Sequence, residues 1–228
     1  MIRLYALVEG STERRFVQRV LAPHLAERAI WTYPVVVSTG RAGGSGRKSR
    51  GGGRWKDWER DLGRLVGENP APEVRFTTMF DLYGLPDDFP GLERCRAEPN
   101  TARRTAQLED ELGAAVQDRR FIPYLQRHEF EALVLACLGS LRALLDSAYW
   151  PGLDRLRDSL GTASPEDIND GDSTAPSKRI KAHIPSYRKV QHGPLAIEAA
   201  GLAAVRRGCP RFDAWVRRLE GLAEEATP

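Results

Sequence analysis

The sequence opens with MIRLYALVEGSTERR, residues 1–15, and this stretch decides the fold. The apolar run from Ile2 to Val8 predicts a buried strand of a parallel sheet. The run stops at Glu9-Gly10, and the residues that follow predict a helix over 13–29. An acid at the carboxyl end of a first strand lies where open α/β sheets bind their ligands. This opening therefore predicts an α/β fold with a functional carboxylate at its first turn.

A second acid, Glu13, follows Glu9 by one helical turn. The turn between them lacks the repeated glycines that a phosphate-binding loop needs. Two carboxylates so close together favour a divalent metal ion over a nucleotide.

The composition limits the class of protein. A chain of 228 residues with 41% hydrophobic residues fits one α/β domain with a helical appendage, or two small domains. No apolar run approaches the length of a membrane span and the first residues do not resemble a signal peptide, so we expect a cytosolic protein. The net charge of +3 is too small to indicate a nucleic-acid partner by itself. Three widely spaced cysteines (Cys95, Cys137 and Cys209) match neither a disulfide framework nor a zinc site.

Strands and helices alternate through the first two thirds of the chain, which predicts a four-stranded, doubly wound parallel sheet. After the first strand and helix, the pattern predicts strands at 33–38, 74–80 and 121–125 and helices at 55–67, 101–118 and 129–146. Beyond Tyr149 we expect no strand, a polar loop at 161–177, and helices at 194–207 and 210–223. The predicted domains are an α/β domain over 1–147 and a helical C-terminal extension over 148–228 packed on it.

The loop at 40–54, GRAGGSGRKSRGGGR, is rich in glycine and strongly basic. Two interpretations of it stay open. It can contact nucleic-acid phosphates, with Trp55 and Trp58 stacking on bases, or it can be a solvated linker whose tryptophans pack on the core. In the first case the nucleic-acid-binding residues are Arg41, Arg47, Lys48, Arg50 and Arg54.

Asp81 follows the third predicted strand and so lies at the same sheet edge as Glu9. Two carboxylates at one edge repel each other unless a cation or a proton intervenes, and Mg²⁺ (or Mn²⁺) suits oxygen ligands. The alternative is a turn-forming aspartate. Asp87 and Asp88 are predicted to be solvated, because prolines flank them in a surface loop.

A third cluster, YLQRHEFEALVLACL at 124–138, places His128, Glu129 and Glu131 where the fourth strand meets a helix. Charged groups among apolar residues are costly to bury without a partner or a metal ion, so Glu129 and Glu131 are candidate metal ligands. The alternative is a helix start that favours acids, beside a structural histidine.

Basic candidates come late in the chain. Lys178 and Lys189 are candidate catalytic residues, because a lysine can stabilise a phosphoryl transition state. The alternative for this segment is a solvent-facing basic surface with His192-Gly193-Pro194 at a helix entry.

Three motifs together resemble one bacterial family. VEGSTE at 8–13, FDLYGLPDDFPG at 80–91 and RHEFEALVLA at 127–136 are similar to the Toprim-like proteins of domain of unknown function 4276. The wider Toprim group includes topoisomerases, primases and the nucleases of the overcoming-lysogenisation-defect class. The resemblance implies a Toprim-like four-stranded, mostly parallel sheet flanked by helices, with a helical C-terminal extension.

The resemblance also implies roles for individual residues. Glu9 corresponds to the glutamate after the first strand, and Asp81 to the first acid of an Asp-x-Asp pair that binds magnesium. Tyr83 stands in place of the second acid, so we expect Glu129 or Glu131 to complete the site.

The function implied is a magnesium-dependent nuclease of a phage-defence or mobile-element system. DNA is the favoured substrate over RNA, and an ATPase is a possible partner. The alternative is a non-catalytic partner subunit of an ATPase with a degenerate site.

Overall fold

The fold is built on a parallel sheet, seen in a computed structural model that describes residues 1–38, 53–168 and 174–225. The strand order is β2-β1-β3-β4, and β5 also pairs with β3, all in parallel. The strands are β1 (Ile2–Val8), β2 (Ile30–Val36), β3 (Val74–Asp81), β4 (Phe121–Ile122) and β5 (Leu125–Gln126).

Helices cover both faces of this sheet and form the C-terminal region of the described chain. They are α1 (Ser11–Phe16), α2 (Ala22–Ala26), α3 (Trp55–Glu68), α4 (Leu92–Cys95), α5 (Thr101–Val116), α6 (Glu131–Leu135), α7 (Trp150–Leu160), α8 (Pro176–His183), α9 (Lys189–Ala200), α10 (Leu202–Gly208), α11 (Pro210–Glu220) and α12 (Leu222–Glu225). Short 3₁₀ turns occupy Leu82–Gly84, Leu138–Leu144, Ser147–Tyr149 and Pro165–Asp167. The predicted fold class, an α/β sheet flanked by helices with a helical C-terminal region, is confirmed.

The central strand β1 is buried on both faces, as its continuous apolar run predicts. Leu4, Ala6 and Val8 belong to one hydrophobic cluster, which includes residues of α1, α6 and α9–α11. Leu7 belongs to a second cluster under α3 and α5. Two cores on opposite faces hold the carboxyl end of β1, and therefore Glu9, in a fixed place.

The fourth predicted strand is divided into β4 and β5, because Pro123 has no N–H to donate to the ladder. The side chain of Thr78 on β3 fills the gap. Its hydroxyl accepts a hydrogen bond from the Tyr124 amide (3.0 Å) and donates one to the Tyr124 carbonyl (2.8 Å). The strand therefore continues past the proline to the sheet edge.

The first helix and second strand differ from their predicted limits. Helical structure runs through α1, a π-helical segment at Val17–Leu21, and α2, so it starts and ends earlier than the predicted 13–29. Ala29 has a φ of 56°, which turns the chain directly into β2 at Ile30 rather than at residue 33. Pro34 is tolerated in β2 because this is an edge strand.

Two helix predictions were wrong. The predicted helix at 129–146 is α6 followed by a 3₁₀ segment, because Cys137 leaves helical geometry (φ −134°, ψ 34°). The predicted helix at 194–207 is α9 and α10, which separate at Gly201. Proline at 194 lies inside α9 and cannot donate to the Val190 carbonyl, and Arg15 of α1 donates to that carbonyl instead (3.3 Å).

The C-terminal helices pack on the same core as the sheet. Arg19, beyond α1, pairs with Glu198 of α9 at 2.6 Å, and Tyr124 stacks on Trp215 of α11. The boundary near residue 147 stays a prediction. None of the helices in the described ranges combines the length and apolar character needed to cross a bilayer. All three cysteines are buried, free thiols.

Candidate active site

Glu9 and Asp81 meet at the carboxyl edge of the sheet, as the sequence predicts. They follow the adjacent parallel strands β1 and β3, and the Asp81 amide donates to Glu9 Oε1 at 2.5 Å. Gly84 leaves room for this contact, since a Cβ at that position would lie 2.5 Å from Glu9 Oε2. The Leu82–Gly84 turn after β3 therefore accommodates the Glu9 carboxylate.

Two further carboxylates join this pair. Glu13 of α1 is 4% exposed and Glu131, at the start of α6, is fully buried. Glu131 accepts a hydrogen bond from the Tyr187 hydroxyl (3.4 Å). The four acids, Glu9, Glu13, Asp81 and Glu131, are called the carboxylate site below.

Lys189, the first residue of α9, supplies a positive charge to the carboxylate site. Its Nζ lies 3.3 Å from Asp81 Oδ2 and 3.0 Å from Glu131 Oε2. The other Asp81 oxygen, Oδ1, is buried and has no hydrogen-bond partner of ordinary geometry among the described residues. One ammonium thus faces four carboxyl groups, and the site has more acids than its lysine can neutralise.

Burial, together with this excess of negative charge, shifts the pKa values of the acids upward. Burial raises the pKa of Glu9 well above its usual value, and the charges of Asp81 and Glu13 raise it further. Burial, followed by the charge of Asp81, raises the pKa of Glu13 to about 7. Burial also raises the pKa of Asp81, and it raises that of Glu131 to about 7 although Lys189 opposes both shifts. The folded site therefore favours bound protons or an added cation.

Lys189 stays protonated in this environment. Burial alone would lower the pKa of its ammonium, but the charges of Asp81, Glu131 and Glu13 more than offset that effect and raise it. Lys189 consequently acts as a cation at neutral pH and not as a base.

A family model matches residues 8–220, nearly the whole chain. The chain belongs to the family described as domain of unknown function (DUF4276).

Two solved structures are similar to this DUF4276 chain, both of the C-terminal region of the OLD protein of Xanthomonas campestris pv. campestris. The iodine-phased structure has 18% sequence identity and a TM-score of 0.43, covering 99% of this chain and 96% of that one. The platinum-phased structure has 17% identity and a TM-score of 0.45, with coverages of 99% and 93%. Likeness at this level carries no argument about the chemistry of the DUF4276 chain. No curated protein matches it.

The other predicted site residues of the DUF4276 chain lie around the carboxylate site or apart from it. Glu129 is half-buried and accepts a hydrogen bond from the Ser177 amide (3.0 Å), while its charge contributes to the raised pKa of Asp81. Lys178 follows Ser177 and is exposed on α8. Arg54 is exposed just before α3. Arg41, Arg47, Lys48 and Arg50 lie outside the described residues.

The two tryptophans after the basic loop pack on the protein. Trp58 is 1% exposed and contacts Phe80, and Trp55 packs edge-on against Phe89. Asp88 accepts a hydrogen bond from the Trp55 amide at the start of α3. Of the two interpretations of these tryptophans, the one that places them on the core is correct.

Tyr83, in the place of the second acid of the Asp-x-Asp pattern, contacts His128. The tyrosine hydroxyl lies 2.9 Å from His128 Nδ1, and His128 Nε2 lies 3.1 Å from the Glu166 carbonyl. His128 therefore has the hydrogen bonds of a structural histidine, and it precedes α6 rather than sharing a helical face with Glu131.

Sequence reasoning paired Glu13 with Glu9 as acids that favour a divalent metal ion but left it out of the candidate ligands, and it did not select Tyr187. The signal for Glu13 was present, because it lies four residues after Glu9 across a glycine turn. Nothing in the local sequence around Tyr187 indicates its contact with Glu131, which depends on how the segment before α9 packs on α6.

Proposed function

We propose that this chain is a Mg²⁺- or Mn²⁺-dependent nuclease that cleaves nucleic-acid phosphodiesters, with DNA favoured over RNA. The observation that carries the proposal is the carboxylate site, where three buried acids and the partly buried Glu9 meet at one sheet edge with the charge of Lys189. A buried excess of negative charge destabilises a fold unless a bound cation neutralises it, so such an excess is typical of a functional site.

The donor set fits magnesium in kind and in charge. All four acids offer oxygen ligands, which Mg²⁺ prefers, and Asp81 Oδ1 is buried without a hydrogen-bond partner of ordinary geometry in the described chain. Within residues 1–38, 53–168 and 174–225, no three His, Cys, Asp or Glu side chains are already spaced as a metal site. The Lys189 ammonium contacts Asp81 and Glu131 in this structure.

The residues that would hold the metal are Glu9, Asp81 and Glu131, with Glu13 and Glu129 beside them. A bound Mg²⁺ would supply Lewis acidity toward the phosphate and a more acidic water. Lys189 would stabilise negative charge on the phosphate oxygens, because a fixed cation in a buried site acts strongly on developing charge. Tyr187 would keep Glu131 oriented through its hydroxyl.

Further parts of the proposal rest on sequence alone. Arg41, Arg47, Lys48, Arg50 and Arg54 would hold the phosphate backbone, and Lys178 would assist from α8. The place of the nuclease in a phage-defence or mobile-element system, and its ATPase partner, come from the family resemblance and stay predictions.

The test is metal-dependent cleavage by the Glu9→Gln variant. We expect wild-type protein to cleave DNA with Mg²⁺ or Mn²⁺ and not with EDTA, and Glu9→Gln to lose about 100-fold or more of that rate, since it removes a charged ligand. The matched control is Glu27→Gln, which makes the same substitution at an exposed site at the end of the first helical segment. Cleavage by Glu9→Gln at the rate of Glu27→Gln would rule out this mechanism.

The second candidate function is a non-catalytic partner subunit of an ATPase. The ion pairs of Lys189 favour it, because they neutralise part of the site without a metal. This candidate predicts that millimolar Mg²⁺ or Mn²⁺ leaves the melting temperature unchanged, whereas a ligand that binds only the folded state would raise it.

A further inference from the structure

A separate cavity of about 280 Å³ opens at the same edge of the sheet. Arg127 and His128, which directly follow β5, lie on one side of it, and the N-terminal residues of α5 lie on the other. Neither the carboxylate site nor the proposed chemistry uses this cavity. It is called the α5 cavity below.

The N-terminus of α5 presents free donors to this cavity. Asn100 caps the helix by accepting a hydrogen bond from the Arg103 amide (3.0 Å). Thr101 and Ala102 also line the cavity, and their amides make no hydrogen bond with another described residue. Unpaired amides at the start of a helix of 16 residues attract anions through both hydrogen bonding and the helix dipole.

Arg127 is a second, independent feature that favours an anion. Its side chain is 9% exposed, and its buried Nε has no hydrogen-bond partner among the residues described. Its Nη1 donates to the Glu166 carbonyl (2.7 Å) and to Asp167 Oδ1 (2.6 Å). A guanidinium held this rigidly in a cavity wall suits the fork geometry of a phosphate group.

The carboxylate of Asp167 already shows that this arginine binds an anion. Asp167 lines the cavity but its side chain is 65% exposed, so water can solvate its carboxylate when another anion takes its place on the nearly buried Arg127. The other acid of the wall, Glu166, is committed elsewhere, because its carboxylate accepts the Arg211 and Phe212 amides at the start of α11 (2.8 and 2.9 Å).

We propose that the α5 cavity binds a phosphate group of a nucleic-acid strand, which replaces Asp167 on Arg127 and takes the free amides of α5. That the phosphate belongs to a strand rests on the proposed nuclease function; that the cavity binds phosphate does not. Because this cavity and the carboxylate site share one sheet edge, a phosphate held here would position the strand relative to the acids.

The experiment measures binding in EDTA, so that cleavage and metal do not enter. The probes are inorganic phosphate and a short single-stranded oligodeoxynucleotide, titrated against the full chain. Ala102→Glu places a carboxylate at the open helix N-terminus, where it also suits the helix dipole, and should weaken binding of both probes about tenfold or more. Gln107→Glu adds the same charge at an exposed site on the same helix, outside the cavity, and serves as the control.

Asp167→Asn gives the opposite test. It removes the competing carboxylate from Arg127 and should tighten phosphate binding about threefold or more. Equal phosphate affinities for Ala102→Glu and Gln107→Glu, or no gain from Asp167→Asn, would overturn the proposal.

Two other outcomes distinguish an error in the assignment to a nucleic-acid strand from an error in the proposed nuclease function. If Ala102→Glu weakens binding of inorganic phosphate but not of the oligonucleotide, the cavity takes a free phosphate compound and the assignment to a strand is wrong. If the phosphate affinities follow the expected order while the wild-type protein cleaves no nucleic acid, the nuclease function fails and the phosphate site stands.

Discussion

At the scale of single residues, Lys189 is the counter-charge on which the carboxylate site depends. Its contacts reach Asp81 on β3 and Glu131 on α6 at 3.3 and 3.0 Å. Lys189 was a candidate from the sequence only as one of several basic residues in its segment. Its pairing depends on where α9 packs, which no local pattern encodes. The acids were easier to find, because Glu9 and Asp81 each follow an apolar strand.

Lys189→Met should destabilise the fold at pH 8, because it leaves Asp81 and Glu131 buried without their partner. Breaking a fully buried pair costs about 3–5 kcal/mol, and the partial exposure of Lys189 reduces our expectation to about 1–3 kcal/mol. Urea unfolding measures this loss. Lys56→Met, at an exposed position of α3, should change little, and adding Glu131→Gln to Lys189→Met should recover part of the loss. Equal stability of Lys189→Met and Lys56→Met would show that the ion pairs contribute nothing.

The raised pKa values of Glu13 and Glu131 predict how stability depends on pH. Both carboxyls have pKa values of about 7 in the folded protein, above their usual value of 4.5. Between these pH values the folded state binds more protons than the unfolded state, so the free energy of unfolding falls as the pH rises from about 5 to about 7.

This dependence is measured by denaturation in EDTA across that pH range. Glu131→Gln removes one of the carboxyl groups with a raised pKa and should flatten the pH profile, whereas Glu27→Gln should retain it. A wild-type free energy of unfolding that rises with pH over this range, or a profile that Glu131→Gln leaves unchanged, would contradict the account.

At the scale of secondary structure elements, the limits of strongly patterned strands and helices were predicted from the sequence. The limits that depend on tertiary contacts were not. β1, α3 and β3 lie within a residue of their predicted limits, because a continuous apolar run or a clear amphipathic period specifies each. The division of the fourth strand was missed, since Thr78 compensates for Pro123 from another strand. The start of α9 was missed because Arg15 supplies the donor that Pro194 lacks.

The Thr78 hydroxyl should be worth measurable stability. Thr78→Val removes both of its hydrogen bonds to Tyr124 and should cost about 1–3 kcal/mol, because it leaves buried backbone groups unpaired. The matched control is Thr32→Val on β2, where the buried hydroxyl has no partner within the described structure. We expect that substitution to be neutral or stabilising in chemical denaturation. The reverse order of the two variants would contradict the role given to Thr78.

At the scale of the whole molecule, a parallel sheet brings distant acids to one edge. Glu9 and Asp81 are 72 positions apart in the chain, and Glu131 lies further still, yet β1, β3 and the β5–α6 junction end together. The helical C-terminal region packs at this edge and contributes Lys189 and Tyr187, which both contact Glu131. The sequence alone predicted the edge and most of its acids. It named Lys189 as a candidate but did not predict the contacts of Lys189 and Tyr187 with the acids, because these depend on how the core packs.

The most direct test of the metal-dependent site is anomalous diffraction from a crystal of the wild-type chain soaked in Mn²⁺. We expect an anomalous peak in coordinating contact with at least two of Glu9, Asp81 and Glu131. At a saturating metal concentration, the account would be contradicted by a map without a peak at these carboxylates and with Lys189 still paired to Asp81 and Glu131.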